Sequence, residues 1–368
     1  LKGILYFPKV NLEYENVEGM IKLYNNQVFI ADNIKEVIPE FLMLLKGVID
    51  CPDLPLNVSR SALQNDGFVK KISDYITKKV ADKLSGMCKT DRENYEKYWD
   101  DISPFIKFGC LKDEKFKEKI KDYVLFKDLD DKYSTLKEYL ETIPEPEVEA
   151  EVVEEGKEDE KSSEETEAPK KIVYYVTDLQ QQSQYVKMFR EQDMNAVVLL
   201  HNIDQPFVSA LEAGDDDVKF QRIDADVTAG AKEEVAEEEK EAFQKTSDSL
   251  VEIFRKELGD EKLDVKIEKL KDENIASMMT LSEENRRMQE MMKMYGMSGM
   301  DMGTTSTLIL NANHPLVQYV VDHKGSENTS IICKQLYDLA MLAHKPLNPE
   351  EMTAFVKRSN EIMMLLTK

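Results

Sequence analysis

Cysteine and histidine are scarce in this sequence of 368 residues. The four cysteines are far apart and form no Cys-x-x-Cys pair, which argues against a disulfide framework and against structural zinc. The four histidines show neither His-x-x-His nor His-Glu-x-x-His spacing. We therefore expect reduced thiols and no metal site.

Motifs of nucleotide-binding and hydrolytic enzymes are absent as well. The sequence contains no glycine-rich phosphate-binding motif and no Gly-x-Ser-x-Gly. No apolar run reaches the roughly 20 residues that a membrane-spanning helix requires. Leu1 is not an initiator methionine and no signal sequence follows it, so we expect a piece of a longer protein. The chain alone predicts no nucleotide pocket, no complete active site and no membrane partner.

Acidic residues outnumber basic ones by 72 to 49, which gives a formal net charge of −23. This charge repels phosphate backbones and argues against nucleic acid as a partner. The imbalance is strongest over residues 144–171, which hold 12 acidic and four basic side chains and no aromatic one. Such a segment buries too little apolar area to offset the entropy of ordering, so it is interpreted as a disordered acidic linker.

The hydrophobic pattern predicts a mixed α/β (α+β) fold. Strands are expected near both ends of residues 1–31, and a helix is expected over 34–49. Further helices are expected over 59–140, and the second helix of that region should end at Gly109. Residues 172–224 read as β-α-β-α-β, typical of a small, mainly parallel sheet. Two further strands and two closing helices are expected at 262–270, 306–313, 329–343 and 349–366. The predicted domains are 1–143, the linker 144–171, 172–228 and 229–368.

Methionine is concentrated in residues 280–302. Thr280 and Glu283 fit a helix capping box, and Gly296 fits a helix end. One face of this helix carries Met288, Met291, Met292 and Tyr295. Flexible thioethers suit varied apolar partners, but the same side chains could simply form core.

The loop over residues 50–64 is stiffened by two prolines, and Asn57 or Ser59 can cap a helix that begins near Arg60. A helix N-terminus disfavours a cation, so Arg60 is expected either to point at an anion or to pair with a nearby carboxylate.

The two closing helices are rich in apolar residues and are joined by a short turn containing Pro346. A hairpin with two apolar faces can bury one in its own domain and the other on a symmetry mate, which gives a two-fold four-helix bundle. The alternative is burial of both faces within one chain, against the strands near 262–270 and 306–313. The residues expected at the dimer interface are Leu336, Leu339, Phe355, Ile362, Met363 and Leu366.

Several longer motifs carry a family resemblance. They are LKGILYFP (1–8), KLYNNQVFI (22–30), EFLMLLKGVIDCPDLPLNVSRSALQ (40–64), YEKYWDDISPFIKFG (95–109), EENRRMQEMMKMYG (283–296) and LILNANHPLV (308–317). The sequence resembles the ninety-kilodalton heat-shock chaperone family, most closely its bacterial HtpG-like members, over almost its whole length except the acidic linker.

The resemblance implies that residues 1–143 and 172–228 are most of the family's middle domain, without its first strand and helix, and that 229–368 is its dimerisation domain. It implies an ATP-driven, cytoplasmic chaperone that acts as a homodimer on unfolded client proteins. ATP and Mg²⁺ would be bound by a domain outside this sequence.

The resemblance also assigns roles to residues. It implies that Arg60 contacts the ATP γ-phosphate with support from Gln64, and that the methionine face binds clients. Where the family usually has glutamate after the arginine, this sequence has Ser61. An alternative from another class is a non-enzymatic scaffold whose methionine face binds one fixed partner.

Overall fold

The computed structural model describes residues 1–7, 21–32, 38–42, 45–53, 66–144, 170–214, 217–226, 231–233, 235–236, 239–282, 287–288, 306–365 and 367. Within these residues no helix is long and apolar enough to cross a membrane.

The described residues form a mixture of helices and strands, which confirms the predicted mixed α/β (α+β) class. Strands β1–β12 are Lys2–Tyr6, Ile21–Asn25, Val28–Asp32, Lys46–Asp50, Leu125–Asp128, Tyr133–Thr135, Lys171–Val176, Val197–Val198, Val218–Arg222, Asp264–Glu268, Ser277–Thr280 and Thr307–Asn311. Helices α1–α10 are Asp66–Thr90, Arg92–Lys112, Glu114–Ile120, Leu136–Thr142, Ser183–Glu191, Asp204–Glu212, Lys240–Leu258, Pro315–Asp322, Glu327–His344 and Pro349–Leu365. Single 3₁₀ turns lie at Glu40–Leu42 and Lys121–Tyr123.

The strands of the described part of the chain form three sheets, with the orders β1-β4-β2-β3, β6-β5-β8-β7-β9 and β10-β12-β11. In the first sheet β4 is antiparallel to β1 and parallel to β2, and β2 and β3 form an antiparallel hairpin. In the last sheet β12 is parallel to β10 and antiparallel to β11. Backbone packing divides the chain into two compact units, residues 1–173 with 198–220 and residues 174–197 with 221–368.

In the first unit two expectations were wrong. Residues 46–50 form strand β4 instead of the end of a helix. Of the apolar residues that suggested a helical period, Phe41 and Leu42 lie in the 3₁₀ turn and Ile49 lies in this strand, and all three side chains are buried. Gly109 does not end α2, which continues to Lys112. A Cβ at Gly109 would lie 2.6 Å from the ring of Phe41 and 2.9 Å from that of Phe116, so the glycine is needed for ring packing.

In the second unit α7, α8 and α9 pack with the sheet β10-β12-β11. Their shared core includes Phe254 of α7, Val317 of α8, and Cys333 and Leu336 of α9, together with Leu308 and Leu310 of the central strand β12. All of these side chains are almost completely buried. The predicted strands near 262–270 and 306–313 are therefore confirmed as β10 and β12, which belong to the sheet that packs with these helices.

Strand β11 was not predicted, and it lies directly before the methionine-rich segment. It pairs with β12 so that Thr280 is opposite Thr307, which brings the two ends of the intervening segment together. The Tyr185 hydroxyl donates a hydrogen bond to the Met279 carbonyl, and the Ser277 hydroxyl donates to the Leu336 carbonyl at 2.7 Å. These bonds fix the base from which the methionine-rich segment leaves the sheet.

The same base is held by a buried carboxylate, Asp224. Its backbone oxygen accepts a hydrogen bond from the Leu281 amide at 3.3 Å. Its side chain accepts two bonds from the Arg222 guanidinium, at 2.5 and 2.7 Å, and lies 3.4 Å from Nδ1 of His344 at the end of α9. Burial raises the pKa of Asp224, but His344 and Arg222 outweigh it and lower that pKa to about 2.

We predict that this ion cluster makes the stability of the second unit depend on pH. Because the pKa of Asp224 is depressed in the folded state, its contribution is complete above about pH 4 and is lost as the pH falls towards 2. Asp224→Asn should lower the free energy of unfolding at pH 7 by about 2 kcal/mol or more, since a neutral amide at this buried position loses the ionic contact with Arg222 and the contact with His344. Urea unfolding measured from pH 7 to pH 2 checks this.

The matched control for Asp224→Asn is Glu252→Gln on the exposed face of α7. It should leave both the stability and its pH dependence unchanged. If Asp224→Asn unfolds with the same pH profile as the parent chain, the carboxylate does not hold the cluster together.

Candidate functional site

The predicted phosphate-contacting residues Arg60 and Gln64 lie outside the described residues, which stop at Asp53 and resume at Asp66. The structure describes the strand end where that loop begins. There the Asn25 side-chain amide donates hydrogen bonds to the carbonyls of Cys51 and Pro52, at 3.1 and 3.2 Å. The tight turn between β2 and β3 is anchored in the same place, because the Gln27 amide donates to Asp50 at 3.1 Å. Sequence reasoning missed these anchors, which lie over 20 residues away along the chain.

The predicted methionine face is described only in part. Met288 is half-buried, whereas Met291, Met292 and Tyr295 lie outside the described residues. Strands β11 and β12, which flank the methionine-rich segment on either side in the sequence, are fully described, and almost all their side chains are buried. The site therefore has a rigid, well-packed base at β11 and β12.

The predicted helical hairpin is present as α9 and α10. The Ser326 hydroxyl caps α9 by accepting the Asn328 amide at 3.3 Å. Asn348 caps α10 by accepting the amides of Glu350 and Glu351, and Glu351 accepts the Asn348 amide in return. Each cap begins its helix, and α9 ends where the Lys345 amide donates to the Met341 carbonyl at 2.8 Å, three residues before Asn348.

The side chains expected at the dimer interface occupy different environments. Leu336 is buried in the core of its own unit, and Phe355 and Ile362 are half-buried. Leu339 and Met363 are largely exposed, and Leu366 lies outside the described residues.

Helix α10 is only partly covered by its own chain. None of its side chains, over Pro349–Leu365, is fully buried. Met352, Val356 and Met363 fall on one helical face and are 38%, 49% and 55% exposed. This stripe is called the outer face of α10. It is an apolar surface without a cover in the described part of the chain.

A polar cluster joins α10 to α9. The Arg358 guanidinium donates a hydrogen bond to the Gln335 side chain at 3.1 Å and pairs with the Asp338 carboxylate. The Gln335 amide donates in turn to the Ser359 hydroxyl at 3.1 Å. Burial raises the pKa of Asp338 above its usual value, and the nearby Arg358 offsets only part of that effect.

The described residues contain no group of three or more histidine, cysteine, aspartate or glutamate side chains that could hold a metal ion. The cysteine thiols are buried. Burial raises the pKa of both Cys110 and Cys333 to about 12, which keeps these thiols protonated and unreactive at neutral pH.

Comparison with known sequences agrees with this architecture. The sequence model of the Hsp90 protein family matches residues 1–368. The chaperone protein HtpG of Porphyromonas gingivalis is 38% identical over 335 residues, which cover 87% of this chain and 45% of the relative. The HtpG of Bacteroides thetaiotaomicron is 36% identical over 342 residues, covering 88% and 46%. The HtpG of Geobacter metallireducens is 27% identical over 366 residues, covering 93% and 51%.

The chain thus spans about half the length of the curated relatives that it matches. The match includes the loop at 50–64, the methionine-rich segment and the helical hairpin, since the family model covers every residue. The resemblance expected from the sequence motifs is confirmed: the chain belongs to the Hsp90 protein family and is similar to its bacterial HtpG members.

Proposed function

We propose that this chain supplies the client-binding and dimerisation parts of an ATP-driven, cytoplasmic chaperone. The observation that carries the proposal is the uncovered outer face of α10, which lies in the same unit as the base of the methionine-rich segment. In this proposal residues 1–143 and 172–228 form the middle domain, 144–171 is an acidic linker and 229–368 is the dimerisation domain. ATP and Mg²⁺ bind to a domain outside this sequence.

Dimerisation explains the outer face of α10 most simply. Exposed apolar stripes on a soluble helix mark contact sites, and a second copy offers the same stripe in return. Two such hairpins form a closed four-helix bundle in which Met352, Val356 and Met363 face the partner and Leu339 contributes from α9. Leu336, Phe355 and Ile362 then support the bundle from inside each chain.

Clients are proposed to bind the methionine face. The two ends of the methionine-rich segment are held next to each other, because β11 and β12 pair with Thr280 opposite Thr307. Thioether side chains adapt their shape to different apolar partners at low cost. The relatives are named as chaperones, which does not favour the alternative of a scaffold with one fixed partner.

Arg60 is proposed to contribute to ATP hydrolysis. A guanidinium at the γ-phosphate stabilises the charge that develops during phosphoryl transfer. The anchors made by Asn25 and by the Gln27 amide at the start of this loop support a fixed direction of departure from the sheet.

Arg60→Ala should slow ATP turnover by about 100-fold when the chain is preceded by an ATP-binding domain, because the transition-state charge loses its cation. ATP affinity and thermal stability should change little. Steady-state hydrolysis and ATP titration measure both quantities, with Lys46→Ala, at an exposed side chain of β4, as the control. Unchanged turnover in Arg60→Ala would remove this residue from the mechanism.

The double change Met288→Asp with Met291→Asp should weaken binding of a chemically unfolded protein by about tenfold or more, since an apolar contact becomes charged. Fluorescence anisotropy of a labelled client measures this, and leucine at the same two positions is the control that keeps the surface apolar. Unrelated unfolded proteins should compete for the parent chain, whereas a scaffold would bind only one of them. A melted domain in the aspartate variant would instead place these methionines in the core.

Val356→Asp with Met363→Asp should convert the dimer into monomers, because four carboxylates would meet across the bundle. Deletion of residues 349–368 should do the same. Sedimentation equilibrium at tens of micromolar measures the mass. Lys357→Asp adds the same charge away from the outer face of α10 and should leave the dimer intact. A double variant that stays dimeric rules out this face as the interface.

A further inference from the structure

Helix α10 has two apolar faces, and its own chain covers only one. Phe355 and Ile362 are half-buried, whereas Met352, Val356 and Met363 form the exposed outer face. At about 100° per residue the centres of these two faces lie roughly 100° apart around the helix. Because apolar contact has little directional preference, either face could pack on α9. Hydrophobicity alone therefore does not decide which face the second copy receives.

Arg358 lies on the same face as Phe355 and Ile362, one turn from each. Its side chain contacts Gln335 and Asp338, which are neighbours on successive turns of α9. The two ionic side chains are only 14% and 16% exposed, and Ser359 completes the cluster through Gln335. A forked guanidinium held at two points fixes both the rotation and the axial position of α10.

We infer that Arg358 is a positioning residue that selects which face of α10 docks in its own chain and which is presented to a second copy. The inference rests on the proposed dimerisation. Turning α10 by about 100° would pack the outer face on α9 but would take Arg358 off both partners. Asp338 would then remain in a protected site without its cation, which makes that arrangement unfavourable. A buried polar residue that fixes the register and partner of packed helices has precedent in coiled coils.

The choice of face can be tested by cross-linking. Single cysteines at Met363 (outer face) or Ile362 (inner face) are introduced into the full chain and treated with a short bis-maleimide. The four natural cysteines are buried, so the unsubstituted chain gives the background. In the parent chain Met363→Cys should cross-link between copies far faster than Ile362→Cys. With Arg358→Met added, the two rates should approach each other as both orientations become populated.

The dimer dissociation constant gives a second readout. Arg358→Met should raise it by about tenfold or more, because part of the population presents the wrong face. Arg358→Lys keeps the positive charge but not the forked guanidinium, so its dimer dissociation constant should lie between those of the parent chain and Arg358→Met. The exchange Asp338→Arg with Arg358→Asp restores a pair and should recover both the dissociation constant and the cross-linking preference. The apolar pair Asp338→Leu with Arg358→Met should keep its thermal stability yet lose the preference.

The outcomes separate this inference from the proposed dimer. One result would overturn both the proposed dimer interface and the role of Arg358. It is that Met363→Cys gives no cross-link between copies and that Val356→Asp with Met363→Asp has the same mass in solution as the parent chain. If the dimer forms through Met363 but Arg358→Met, with normal helicity by circular dichroism, shows the same preference and dissociation constant, only the role of Arg358 is overturned. Should Arg358→Met lose helicity, the same comparison is made with Arg358→Lys.

Discussion

The second unit depends on the side-chain amide of Asn311, which is completely buried and makes every hydrogen bond available to it. Its oxygen accepts the amides of Leu270 and Asn313, each at 3.0 Å, and its nitrogen donates to the carbonyls of Asp272 and Ile275 at 3.1 and 2.8 Å. These contacts tie the end of β12 to the loop that carries the chain from β10 to β11. Since an unpaired buried amide or carbonyl costs about 1–3 kcal/mol, an apolar side chain in place of Asn311 would destabilise this sheet by leaving its four backbone partners unpaired.

Both proposed binding surfaces extend from this sheet. Its β11–β12 pair sets Thr280 opposite Thr307 and so fixes where the methionine-rich segment leaves and returns. Helix α9 packs on the same strands through Leu336, and α10 is joined to α9 by the Arg358 cluster. A well-packed sheet thus carries both ends of the methionine-rich segment and, through α9, the helix whose outer face is exposed.

Local pattern was enough to predict the helical hairpin, from its apolar stripes and the turn containing Pro346, and the strands at β10 and β12, from their short apolar or alternating runs. It failed where packing overrides period. Strand β11 is buried on both faces and shows no alternation. Gly109 was predicted to end a helix, but it lies inside α2, where the lack of a side chain leaves room for the rings of Phe41 and Phe116. Asp224 meets His344 across 120 positions and Arg358 meets Asp338 across 20, and a single sequence contains no signal for such pairs. The resemblance, by contrast, rested on long motifs and was confirmed over the whole chain.

A second copy is proposed to cover the outer face of α10. Each copy carries a formal charge of −23, so the long-range repulsion between them must be outweighed by apolar burial, about 800 Å² per partner in a stable dimer. Sedimentation equilibrium of the unmodified chain, repeated from low to physiological salt, tests this directly. If a second copy covers this face, the mass at tens of micromolar is twice that of one chain, and association tightens as salt screens the repulsion. The mass of a single chain at every salt concentration would contradict it.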